Sequence, residues 1–245
     1  MKTRFVLMIL VACFAFCACN ANNFDGYKNE GMAVDQRPSN ISSIEFSSLK
    51  ELQNALDPQN ETKLCSYFLK QGATIEQTEN LKNMAKTIRM RNNIVPYING
   101  TAIEFRNEEG YGNITMFASE KYELPCIFYH PKVSSGDNLY IKVTCIPDEY
   151  FQDYEFTSAA DLIKIMSPNY PNIGNPGNYC NSVYNATVKL SDRNVIALVY
   201  EYTASKRNST FFVYDNLLIE VRNDPEIWNS EWFSSLSFGS FEKSR

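Results

Sequence analysis

Apolar residues in the second half of the chain come in short runs with strand spacing. Residues 195–200 are β-branched and apolar on both faces and too short to cross a membrane. They follow the polar turn Ser191-Asp192-Arg193-Asn194, which predicts a buried central strand. Runs at 211–214 and 217–221 come next, and the pair Asp215-Asn216 between them suits a tight reversal. Upstream, residues 102–105, 114–117, 127–129, 139–144 and 162–165 read as further strands. Pro168 and Pro171 fix φ and remove two amide donors, so Ser167-Pro168-Asn169-Tyr170-Pro171 is expected to be an extended edge or corner, with a loop over 172–178.

The first hundred residues carry a different period. Ile44, Phe46, Leu49, Leu52 and Leu56 follow one helical face, with Ser47 or Ser48 as a cap and Asp57-Pro58 as a stop. Ile75, Leu81, Met84, Ala85 and Ile88 do the same over 74–91, with Glu76 and Glu79 early and Lys86, Arg89 and Arg91 late, as the helix dipole prefers. Residues 64–69 suit either period. A mixed region with two helices is therefore expected over 20–100, with a polar lead-in over 20–40, and a β-rich region over 101–245. The series from Gly112 to Ile165 echoes the series from Cys180 to Val221 at a spacing of roughly 55 residues. Either two degenerate units or ordinary strand spacing produces such an echo.

Lys2 and Arg4 ahead of an apolar stretch over 5–18 with small residues at its end give the shape of a secretory leader, residues 1–19. Cys19 after Ala18 keeps a second possibility open, a bacterial surface lipoprotein lipidated at Cys19. The net charge of −5 becomes two units more negative without the leader, and the basic residues nowhere form a patch, which argues against a nucleic-acid partner. No second apolar stretch approaches membrane length, so no membrane span is expected.

Of the seven cysteines, Cys65, Cys126, Cys145 and Cys180 lie after the leader, an even number that in an exported chain predicts two disulfides. Three connectivities are open, and loop-closure entropy, about 3 to 4.5 kcal/mol for any of them, does not choose. Glycosylation sequons stand at Asn40, Asn60, Asn99, Asn113, Asn185 and Asn208.

Chemistry-bearing patterns are few. His130 is the only histidine, and neither a nucleophile elbow nor a reactive-cysteine signature accompanies it. Asp148, Glu149, Asp153, Glu155 and Asp161 alternate with Tyr150, Phe151, Tyr154 and Phe156. This is either a solvated segment with aromatic inner positions, a recognition surface, or the carboxylates of a secreted hydrolase. Trp228 and Trp232 are expected to cover the core.

The order Ser167-Pro168-Asn169-Tyr170-Pro171, Cys180, Tyr184, the apolar run at 196–200 and Tyr214-Asp215-Asn216-Leu217-Leu218-Ile219 resembles the CUB family of extracellular modules. The resemblance covers roughly a quarter of the chain, and it lacks the cysteine that many members carry just before Tyr-Asp. It implies an antiparallel jelly-roll β-sandwich from about residue 145, and a disulfide from Cys145 to Cys180, which leaves Cys65 to Cys126. Many members bind calcium; of that ligand set only Asp215 carries over, and no carboxylate lies in 203–214 to join it, so a turn role is expected for Asp215 and no cofactor or metal for the chain. The sequence is thus read as a secreted, glycosylated, non-enzymatic protein that binds an extracellular protein or carbohydrate.

Overall fold

Alternation along one strand sets the frame of the molecule. Leu217, Ile219 and Val221 enter one core while Leu218, between them, enters another, so the strand is buried on both sides. The structure is a computed structural model that describes residues 41–46, 48–70, 74–89, 94–103, 114–119, 124–130, 139–152, 156, 158–176, 179–202 and 205–240. All of these belong to one compact unit, residues 39–245.

The described strands are β1 (Ile41–Phe46), β2 (Val95–Ile98), β3 (Thr101–Ala102), β4 (Ile114–Ser119), β5 (Cys126–Tyr129), β6 (Tyr140–Cys145), β7 (Ser182–Lys189), β8 (Asn194–Tyr202), β9 (Arg207–Tyr214), β10 (Leu217–Asn223) and β11 (Leu236–Gly239). Eight form one sheet in the order β1-β4-β5-β6-β10-β9-β8-β7, and three form a second, β11-β2-β3. Every named pair in both sheets is antiparallel. Beyond β1 at one edge, the large sheet is two runs of neighbouring strands, β4 to β6 and β7 to β10, joined where β6 meets β10 with Lys142 opposite Glu220 and Tyr140 opposite Arg222.

The expected reversal at Asp215-Asn216 is present. Asp215 takes φ +51, a left-handed conformation that Asp tolerates, and Tyr214 pairs with Leu217 across the two-residue loop. The polar segment before β8 also turns as expected. Asp192 and Asp215 both bind Arg193, at 2.9 Å and 2.8 Å, and the guanidinium lies 4.1 Å from the centre of the Tyr214 ring, so one cation ties two hairpin ends together.

Helices cover the sheet. On one face lie α1 (Leu49–Leu56), α2 (Glu61–Lys70) and α3 (Ile75–Arg89), which bring Leu52, Leu56, Leu64, Ala85 and Ile88 into the core with Ile141, Phe212 and Ile219. The small sheet contributes Val95, Leu236 and Phe238 to the same core. Ser48 caps α1 by accepting from the Glu51 amide at 3.2 Å, and Asp57 ends it. Among the described residues three α-helices therefore occupy the region where two were expected, the segment at 64–69 being the third, and residues 41–46, expected to be in part helical, form a strand instead. Because β1 pairs with β4 and β2 with β11, residues before 100 are woven into the β-rich part.

The other face is covered by α5 (Ala159–Met166), which follows the short α4 (Glu149–Gln152). Here the expectation of a strand over 162–165 is corrected. Ser158 caps the helix by accepting from the Asp161 amide, and Leu162, Ile163 and Met166 pack on Leu198, Tyr200, Phe211 and Leu218. With α5 standing where the echo of β10 was expected, the spacing of roughly 55 residues is ordinary strand spacing, not a repeated unit. The Ser167 to Pro171 segment forms the corner of the expectation, not its extended edge. Ser167 stays in the helical region at φ −55, and the amides of Asn169 and Tyr170 both reach the Met166 carbonyl.

Candidate functional site

The corner after α5 and the polar stripe of the sheet enclose a recess. Along β6 and β10 the residues facing α5 are Tyr140, Lys142 and Thr144, then Leu218 and Glu220, since their neighbours in sequence belong to the opposite core. The loop over 170–175 lies above them and contributes Tyr170, Asn172, Ile173 and Gly174, and Cys126, Tyr202 and Phe211 complete a recess of about 210 Å³.

Two tyrosines on β8 hold that loop down. Tyr200 donates its hydroxyl to the Gly174 carbonyl at 2.6 Å, and Tyr202 donates to Pro176 at 3.0 Å. Gly174 adopts φ +58, and a Cβ there would meet Ile163 at 2.5 Å, so the loop approaches α5 more closely than any larger residue allows. Burial pushes the Tyr200 hydroxyl up to about 12, so it stays a donor through the physiological range.

Inside the recess, Tyr140 donates to Oε1 of Glu220 at 2.8 Å. Burial, then the negative charge of Glu220, holds the Tyr140 hydroxyl far above the ordinary phenol range. Lys142 lies 5.1 Å over the Phe128 ring, and Phe128, His130 and Tyr140 pack ring to ring beside it. The arrangement places one carboxylate and one ammonium on facing positions of adjacent strands, flanked by aromatic rings. It can present a hydrogen-bond acceptor and donor to a ligand at once. A second recess, of about 400 Å³ between β1, α1 and α2, is mostly apolar and lined by Phe46, Ala55 and Leu64 with Asn60 and Lys63.

The residues singled out by sequence are scattered. Cys65, Cys126, Cys145 and Cys180 are thiols rather than half-cystines, and the sheet keeps the expected pairs apart. Cys145 enters the core beneath α1 to α3 while Cys180 packs on the α5 side. The segment carrying Cys180 pairs with β8, three ladder spacings, about 14 Å, from β6, where a disulfide needs Cα atoms within about 7 Å. Cys65 sits on α2, and Cys126 lines the recess on the opposite face.

Asn99, at φ +50 in the β2–β3 turn, and Asn185, on β7, are exposed; Asn60 and Asn208 are part-covered; Asn40 and Asn113 lie outside the described residues. Asp215 binds Arg193, and among the described residues no group of three or more His, Cys, Asp or Glu converges. His130 sits in the aromatic group beside Tyr140. Asp161 accepts from the Ser158 hydroxyl at 2.7 Å at the start of α5, while Asp153 and Glu155 lie outside the described residues. Trp228 and Trp232 stack at 4.2 Å, with Trp228 in the core. Tyr140, Lys142, Tyr202 and Glu220 were not singled out by sequence, although the alternation of Tyr140 and Lys142 with Ile141 and Val143 marks them as a polar face.

Among the described residues no helix is long and apolar enough to cross a membrane. Comparison with family models, with curated proteins and with solved structures finds no match for this chain.

Proposed function

We propose that this is an exported, glycosylated, non-enzymatic binding protein whose ligand enters the recess between the 170–175 loop and strands β6 and β10. The observation that carries the reading is the pairing of Lys142 with Glu220 across the sheet, inside a recess whose roof is fixed by Tyr200 and Gly174. Fixed walls spare a ligand the entropy of ordering its site, which favours recognition. Glu220 is the one carboxylate among the described residues lining the recess, whereas glycoside hydrolysis by the usual route uses two facing carboxylates. Export rests on the leader-like residues 1–19 and glycosylation on the sequons. A relation to CUB modules is supported by the motifs at Ser167 to Pro171 and Tyr214 to Ile219 alone, since strands β6 to β10 lie side by side in one sheet with helices on its faces.

A ligand-detected NMR screen of small polar compounds tests the proposal, with hits mapped on tyrosine ring signals of the recess. Hits that perturb Tyr140, Tyr170 or Tyr202 and are recovered unchanged after prolonged incubation support it; turnover of a hit, or no perturbation by any compound, overturns it. Intact mass after expression in a eukaryotic secretory host reads the export and glycosylation parts. Loss of residues 1–19 with added hexose mass is the expected result, and retention of the leader in an unmodified chain removes that part.

A further inference from the structure

The chemistry of the recess narrows its ligand, on the premise that the recess is a binding site. We propose that it takes a single neutral polyol unit, a sugar residue, with two adjacent hydroxyls spanning Glu220 and Lys142.

Charge selects first. An anion drawn to Lys142 faces the like charge of Glu220 at the opposed position, an amine drawn to Glu220 faces Lys142, and an apolar group strips water from both without replacing it. A hydroxyl avoids each difficulty, because it donates to a carboxylate and accepts from an ammonium. Lys142 and Glu220 are directly opposed in the β6–β10 register, which brings their Cβ atoms to about 5 Å, within reach of neighbouring groups on one small ring. Tyr140 donates to Oε1 of Glu220 and so orients a carboxylate that lines the recess.

Shape and surface select next. About 210 Å³ is below the usual range for drug-sized ligands, about 300 to 1,000 Å³, so one ring fits and an extended peptide or a helix does not. Tyr170, Tyr202 and Phe211 supply aromatic surface for the C–H side of such a ring, and the exposed Asn172 adds an amide on the loop. The unit can be a free monosaccharide or the end of a glycan chain, which share this chemistry.

The test is an NMR titration of the 15N-labelled full chain with methyl α-mannoside, methyl β-galactoside and N-acetylglucosamine. Glucuronate and glucosamine serve as charged comparators, and a trisaccharide ending in the best sugar separates a free unit from a glycan end. Saturable shifts at Lys142, Asn172 and Glu220 with at least one neutral sugar are expected, weaker by at least about tenfold for the charged comparators and for Glu220→Gln, because hydrogen bonds to a charged partner are the stronger ones. Asn172→Ala, an exposed change, should also weaken binding while leaving the spectrum of the fold intact. Equal binding by folded Glu220→Gln, or preference for a charged comparator, overturns the proposal. If other small compounds perturb the recess and no sugar does, the ligand class falls and the site stands; if nothing perturbs it, both fall.

Discussion

The Tyr200 hydroxyl donates to the Gly174 carbonyl at 2.6 Å, joining the loop over the recess to a strand of the main sheet. Tyr200→Phe keeps the ring against Phe211 and removes only this bond and its effect on the loop. A loss of about 1 kcal/mol is expected in urea unfolding, typical of one neutral hydrogen bond, together with faster amide exchange at Gly174 and Asn175.

Gly174→Ala should cost more. The new Cβ faces Ile163 and the residue is held at φ +58, so about 1 to 3 kcal/mol is expected from backbone strain, with displacement of the loop and loss of whatever ligand the recess takes. A thermal unfolding midpoint unchanged from the parent would show that the loop rearranges freely.

Acid should weaken the hairpin cluster around Arg193. Burial pushes Asp192 up, but hydrogen bonds from Tyr214 and Arg193, with the charge of Arg193, outweigh it and hold the carboxyl below its usual range. A lowered native value means that the stabilisation is complete above about pH 4, the ordinary carboxylate value, and disappears as the pH falls through the native one. Arg193→Met should return Asp192 toward the ordinary value and flatten the acid limb of the stability curve; a carboxyl NMR titration of Asp192 reads it directly.

Base acts in the opposite sense on the recess. Tyr200, pushed up to about 12, favours its protonated form in the fold, so its contribution is complete below about pH 10 and is lost as the pH rises through 12. Absorbance at the phenolate band should show Tyr200 ionising late, together with Tyr214 and before the more strongly raised Tyr140 and Tyr129, and Tyr200→Phe should remove one phenol from that late step.

Reductant should leave the fold unchanged, because the thiols expected to pair lie on opposite sides of the main sheet. Equal unfolding midpoints with and without dithiothreitol are expected; a fall of several degrees would reveal a cross-link that stabilises the native state.

How much of this was legible depends on how local the signal was. The β9–β10 hairpin could be read because Asp215-Asn216 and two flanking runs lie within fifteen residues, and α3 because its apolar spacing and charge gradient agree. Helix α5 was hidden by Leu162-Ile163-Lys164-Ile165, whose branched residues imitate a strand; the informative residues were Ser158 and Asp161, a cap three positions apart. Strand β1 was absorbed into the following helix because Ile44 and Phe46 continue the spacing of Leu49 and Leu52, and only pairing with β4 decides otherwise. The recess was out of reach in principle. Tyr140 and Glu220 are 80 residues apart, and their meeting is set by the register of two strands that no local pattern links.

Among the described residues β7 is the last strand of the main sheet, with Val183 and Tyr184 exposed and a glycosylation sequon at Asn185 within it. An unfinished ladder of this kind can recruit strands from other molecules, and a bulky oligosaccharide rooted at Asn185 would sterically veto such growth. A sugar attached at Asn185 would then be a guard against fibril-like stacking, separate from any sugar bound in the recess.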